Sequence, residues 1–169
     1  MTQAEFLNIV MPFQDKVFRL AKRLLVSREE AEDATQEILL KLWHNRDKMG
    51  RYRNVEAFAM TMTKNFCLDR LKSKSAQNLK IVHSNYQDGQ TSLQKQIELQ
   101  DSVSWVEKIV ETLPDQQKMV LQLRDIEQYD FKEIADILKM NETAVRVALS
   151  RARKTIRKAL TKTHSYGVQ

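Results

Sequence analysis

The stretch from Leu113 to Leu160, LPDQQKMVLQLRDIEQYDFKEIADILKMNETAVRVALSRARKTIRKAL, constrains the chain most, because its punctuation sets out three helices in a row. Pro114 suits the first position of a helix, where a missing N–H costs nothing. Met119, Val120 and Leu123 give that helix an inner stripe. Asp130 followed by Glu133 forms an N-cap pair, and Ile134, Ala135 and Leu138 line a short second helix. Asn141 caps a third helix, with Glu142 in its positive first turn.

The third helix carries two faces at 3.6-residue periodicity. Val145, Leu149, Ala152, Ile156 and Leu160 point inward, while Thr143, Arg146, Ser150, Arg153 and Arg157 share another face. From Arg146 to Lys162 there are seven basic residues and no acid, whereas a merely solvated helix intersperses acids for i,i+4 pairing. Two helices joined by a tight turn, the second one basic, describe a helix-turn-helix with a recognition helix. The alternative is a solvated basic amphipathic helix.

This stretch resembles the C-terminal domain (region 4) of bacterial sigma factors, above all the small extracytoplasmic-function group, whose pattern runs LP, then EIA, then TV and RAR. Leu138-Lys139-Met140-Asn141 stands where the family often has a Gly, and a left-handed non-Gly residue there costs on the order of 1 kcal/mol. Ala144-Val145-Arg146-Val147-Ala148 replaces the more usual TV-[KR]-[ST]-[RN] and removes two polar groups, so base preference should differ from that of other members.

Only three Gly and two Pro interrupt 169 residues, so long helical periods persist and the predicted fold is all-α. The expected architecture is two small helical domains joined by a flexible linker, the C-terminal one containing the helix-turn-helix. The boundaries are 1–75, a linker over 76–94, a second domain over 95–162 and a tail over 163–169. The linker is expected because Ser75 to Ser92 loses helical periodicity and is rich in Ser, Asn, Gln and Gly. The net charge of +6 favours a polyanionic partner. That charge is uneven: 14 basic against 10 acidic residues in 1–75, 3 against 5 in 76–112, and 11 against 7 in 113–169.

Other function classes fall away. No apolar run approaches the ~20 residues of a membrane span, and no secretory signal is expected at the start. Cys67 alone forms no internal disulfide and lies on an apolar stripe, which suits burial and a cytoplasmic location. His44, His83 and His164 lack metal spacing, and there is no P-loop, GxSxG or Gly-rich nucleotide loop. Neither a cofactor, a metal nor an enzymatic activity is expected.

The N-terminal part opens with a Thr2/Glu5 capping box and a stripe of Phe6, Ile9 and Val10. Pro12 is expected to restart or kink the helix, and Phe13, Val17, Leu20, Ala21, Leu24 and Leu25 continue it. Ser27 with Glu30 reads as another capping box, opening a helix with Ala31, Ala34, Ile38 and Leu42 inward. Its first turns hold Glu29, Glu30, Glu32, Asp33 and Glu37, more acid than the helix dipole requires. The string EDATQEILLKLW resembles region 2.2 of the sigma family, whose surface grips the clamp of core RNA polymerase. That resemblance assigns Asp33, Gln36 and Glu37 to the polymerase.

His44 to Asn54 reads as a loop, after which Asn54 caps a helix with Val55, Phe58, Met62, Phe66 and Leu71 at core spacing. Lys64, Arg70, Lys72 and Lys74 make it basic, and a basic surface with aromatics beside a loop suits single-stranded DNA. The segment resembles regions 2.3 and 2.4 of the family. By that resemblance Asn65 matches an Asn that contacts the -10 element, Met49, Gly50, Arg51, Tyr52 and Arg53 form the loop that pockets a flipped base, and Phe58 stands at an aromatic position of strand opening. Lys64 joins this -10 surface. For the -35 element the set is Thr143, Arg146 and Ser150 at base edges, with Arg151, Arg153 and Arg157 on the backbone.

The implied function is a sigma factor that binds core RNA polymerase and promoter DNA and promotes transcription initiation, with an anti-sigma factor as a further implied partner. Rival readings are a stand-alone helix-turn-helix regulator of duplex DNA and a protein-only helical adaptor. The first has no use for the acidic helix, and the second does not need the unbroken run of positive charge.

Overall fold

The structure, a computed structural model, describes the backbone of residues 1–82 and 102–167 and the side chains of residues 1–77 and 104–162. Among the described residues the secondary structure is helical, without a strand.

Helix α1 (Gln3–Leu25) starts in the expected capping box, with the Glu5 amide donating to Thr2 Oγ1 at 3.2 Å and the Thr2 amide to Glu5 Oε2 at 2.8 Å. Pro12 lies inside it and does not end it, contrary to a restart. The stripe of Val10, Phe13, Val17, Leu20 and Leu24 is buried on both sides of the ring, and that burial outweighs one missing N–H. Helix α2 (Arg28–His44) is capped by Ser27, whose Oγ accepts the Glu30 amide at 3.3 Å. The reciprocal half of a capping box is missing because the Glu30 carboxylate instead pairs with Lys74. Ala31, Ala34, Ile38 and Leu42 are buried as expected.

The expected loop after α2 is a 3-10 turn over Arg46–Arg51. Helix α3 (Val55–Val82) begins where the Ala57 amide donates to Asn54 Oδ1 at 3.1 Å. Its fully covered residues are Ala59, Met60, Thr63 and Cys67, whereas Val55, Phe58, Met62, Phe66 and Leu71 are only half-buried. The core face is thus turned from the expected one, because α3 is covered from more than one side. Burial pushes the Cys67 thiol up to about 12. The helix also runs over residues 76–82, the start of the expected linker; residues 83–94 of that linker lie outside the described residues.

Helix α4 (Ser102–Glu111), α5 (Asp115–Leu121), a π-helical turn (Gln122–Ile126), α6 (Phe131–Leu138) and α7 (Glu142–Gly167) make up the C-terminal part. Pro114 stands at the N-cap of α5, one position ahead of the expected one. The part of the α4 helix expected from Leu93 to Asp101 lies outside the described residues. The tail expected from residue 163 is helical in backbone through Gly167.

One buried cluster runs from Phe6 and Leu20 through Met60 and Cys67 to Ile134, Val145 and Leu149, so both parts of the chain share apolar cover. Polar links join them as well. Arg19 donates through Nε and Nη2 to the Glu127 carboxylate, the second at 2.9 Å, and that carboxylate is fully buried. Arg23 reaches Gln122 at 2.9 Å and Glu107 at 2.5 Å, and Lys16 lies 5.0 Å from the Tyr129 ring centre. Thr61 of α3 donates to the Ile137 carbonyl at 3.3 Å.

Candidate nucleic-acid interface

Helices α6 and α7 form the expected helix-turn-helix. Asp130 and Glu133 cap α6 reciprocally, at 2.8 and 3.1 Å. The turn passes through Lys139 at φ 54° and ψ 48°, the left-handed conformation that Gly adopts without cost. The Met140 amide then donates to the Ala135 carbonyl at 3.0 Å, and Asn141 Oδ1 accepts from Ala144 at 2.7 Å to start α7. Val145, Ala148, Leu149 and Ala152 are buried, which holds the helix with its opposite side outward.

The structure divides the expected basic face in two. Arg146, Arg153 and Arg157 line a groove with Leu121, Asp125 and Phe131 on the flank of α7, and Ser150 stands where that groove meets the outermost side. Arg153 is held by Asp125 through two hydrogen bonds, at 2.5 and 3.2 Å, and this contact pushes its guanidinium further up. Arg146 lies 4.8 Å from the Phe131 ring centre and 3.9 Å from Glu142. The outermost side presents Thr143, Val147, Ser150, Arg151 and Lys154, all exposed. Arg151, Lys154, Arg157 and Lys158 are in no ion pair among the described residues. Val147, 41% exposed, was not among the expected site residues. The signal was available, because it is the apolar residue displaced half a turn from the Val145–Leu149 stripe.

The N-terminal residues expected at single-stranded DNA are brought together only in part. Gly50, Arg51 and Arg53 are exposed, and Tyr52 stacks on Phe58 with ring centres 4.2 Å apart and planes 14° apart. Arg51, Tyr52, Arg53 and Phe58 share a groove with the α6 cap Asp130 and with Lys132, Glu133 and Asp136 of α6. Met49, expected at a flipped base, is 3% exposed here: as the large apolar group of the 3-10 turn it joins the core. Lys64, expected on the same surface, is largely covered as well. It is buried on α3, the helix whose Thr61 bonds α6, and desolvation first, then the charge of Lys139, pushes its amine down. Asn65 is exposed but lines a different groove, with Lys41, Phe66, Asp69 and Arg70. There the Phe66 ring lies between Lys41 at 5.2 Å and Arg70 at 5.5 Å.

On α2, Asp33, Gln36 and Glu37 are exposed along one outer face, and Asp33 is tied to Arg70 at 2.8 Å. Gln36 borders an apolar groove of Phe6, Leu7, Val10, Leu39, Leu40 and Trp43. Leu40 of α2 and Leu7 of α1, 53% and 43% exposed, are not among the expected site residues, because they lie outside the inward stripes and the outward reading of α2 rests on its acids and Gln36. Among the described residues no group of His, Cys, Asp and Glu could hold a metal, and no helix is long and apolar enough to cross a membrane.

Residues 9–77 match the family described as Sigma-70 region 2, and residues 104–156 match Sigma-70, region 4. The chain is 27% identical over 169 residues to the ECF RNA polymerase sigma factor SigW of Bacillus subtilis, covering 94% of this chain and 90% of that one. It is 26% identical over 166 residues to the RNA polymerase sigma-H factor of Pseudomonas aeruginosa, covering 90% and 84%. In fold it is similar to the sigma factor RpoE of Bartonella quintana, solved with the anti-sigma factor NepR, at a TM-score of 0.75 and 17% identity over 93% of this chain and 97% of the other. It is also similar to CnrH, solved with the cytosolic domain of CnrY, at a TM-score of 0.69 and 17% identity over 95% and 90%.

Proposed function

The chain belongs to the extracytoplasmic-function group of the sigma-70 family, and from that premise we propose how its residues divide the work of transcription initiation. Core RNA polymerase is bound through Asp33, Gln36 and Glu37 on α2. The -10 element meets Gly50, Arg51, Tyr52, Arg53, Phe58 and Asn65 as single-stranded DNA, where a stacked aromatic pair with flanking cations suits an unpaired base. The -35 element meets the start of α7, with Thr143, Arg146 and Ser150 toward base edges and Arg151 and Arg157 toward phosphates. Arg153 acts through Asp125, stiffening α7 against the π-helical turn. The protein itself performs no covalent chemistry, works in the cytoplasm, and is held by an anti-sigma factor, as RpoE and CnrH are bound to protein partners.

The observation that carries this reading is the order of the parts: an acidic helix and a basic-aromatic segment precede a capped helix-turn-helix, in the order of the two family matches. A stand-alone duplex-binding regulator leaves the first two unused. The test is transcription with purified core polymerase. The reading expects co-purification with core and initiation at discrete sites. It further expects Asn65→Ala to weaken open-complex formation and binding to a single-stranded -10 oligonucleotide, with -35 duplex binding unchanged. Failure to bind core refutes it, and equal losses on both DNA probes remove Asn65 from the -10 site.

A further inference from the structure

The outermost side of α7 contains one group out of keeping with a solvated basic helix. Val147 is 41% exposed although its neighbours on that surface are Thr143, Ser150, Arg151 and Lys154. The helix does not need it for packing, since Val145, Ala148 and Leu149 already fill the inward side. Single exposed apolar residues are ordinary on a protein surface. Position makes this one informative. Val147 lies in the second turn after the Asn141 cap, and residues near the start of a recognition helix reach base edges.

The groups around it narrow what it meets. Arg153 is held against Asp125 on the flank of the helix, while Arg146, beside Phe131, is exposed and keeps its place toward the base edges. Arg151, one turn beyond Val147, is in no ion pair among the described residues, and Ser150 is exposed beside it. Such a polar rim around one small branched side chain fits the floor of the major groove. The large apolar feature that a base displays there is the C5-methyl group of thymine.

We propose that Val147 reads a thymine in the upstream promoter element by packing its branched side chain against the C5-methyl group. This rests on the reading of α7 as the -35 recognition helix and deepens it to one base and one atom. Arg151 then serves the adjoining phosphate, and Thr143 and Ser150 the neighbouring edges.

The test uses the full-length protein with core polymerase. A duplex library randomised across the upstream element yields the preferred sequence, and each selected thymine is then replaced singly by deoxyuridine, which removes only the methyl. One replacement should weaken binding about fourfold, the loss of a single buried methyl. Val147→Ala should bind the thymine and deoxyuridine duplexes equally, while Val147→Thr, which keeps one branch methyl, should retain part of the difference. Val147 is exposed, so these variants leave the core alone. If no deoxyuridine position matters, or if the difference persists in Val147→Ala, the proposal is wrong while the recognition helix stands. If no sequence is selected, the -35 reading falls as well.

Discussion

Arg19→Ala should loosen the union between the two parts of the chain without unfolding either. The Glu127 carboxylate is fully buried while the Arg19 side chain is 45% exposed, so the partners have unequal stakes in the contact. Hydrogen bonds to charged groups contribute about 1.5–3 kcal/mol, and removing one partner of a buried pair costs about 3–5 kcal/mol when the other stays buried. Two effects reduce that here. Solvent already screens the exposed guanidinium. The surface between the parts can also open and return Glu127 to water. A cost of about 1.5–2 kcal/mol remains, worth roughly a tenfold or greater rise in the opened form. Hydrogen exchange over residues 16–23 and 122–129 should accelerate by that factor while exchange in the middle of α2 stays unchanged. Glu127→Gln provides the control. It leaves Arg19 half in water with an amide still to bond, so it should cost less, about 1 kcal/mol or below. Opening also parts Arg51 and Arg53 from Asp130, Glu133 and Asp136, so Arg19→Ala should bind a single-stranded -10 oligonucleotide more tightly. Equal effects from the two variants, or no change in exchange from either, would refute the reasoning from unequal burial.

Lys139→Gly should stabilise the protein by about 0.5 kcal/mol in urea titration: relief of a left-handed non-Gly residue exceeds the added entropy of the unfolded chain, and a like charge leaves the neighbourhood of Lys64. Combined replacement of Asp33, Gln36 and Glu37 by Ala should weaken binding to core polymerase, while the unfolding free energy changes by no more than about 1 kcal/mol, since the Asp33–Arg70 pair is partly in solvent. Arg157→Ala should lower the salt slope of duplex binding by about 0.9 per lost phosphate contact. Arg153→Ala should instead leave that slope nearly unchanged and reduce stability, because it strands Asp125; a shared fall in slope would return Arg153 to the backbone contacts.

What was legible in the sequence follows the range of the interactions. Caps are written within four residues, and Thr2 with Glu5, Asn54, Asp130 with Glu133, and Asn141 all act where their spacing places them. Ser27 shows the limit of that rule, since Glu30 has a competing partner, Lys74, that no local pattern names. The linkage of Arg19 to Glu127 spans 108 positions and has no local signature at all. The spacing of Val55, Phe58, Met62 and Phe66 on α3 describes a helix with one covered side. Because α6 also covers it, Ala59, Met60 and Cys67 are the buried residues and Lys64 loses its access to solvent.

On α7 the same periodicity marks the core stripe of Val145, Leu149 and Ala152 but does not by itself divide the surface. Arg146, Arg153 and Arg157 do share a face, and the face is the flank against Phe131 and Asp125. Charge alone could not separate flank from outermost side, because cations occur on both. The separating signal was the residue that breaks the pattern: Val147, apolar where the stripe through Val145 and Leu149 predicts a polar group. An exposed apolar residue is ordinary by itself; what gives Val147 its meaning is its place near the start of a recognition helix whose other side is seated by Val145, Leu149 and Ala152.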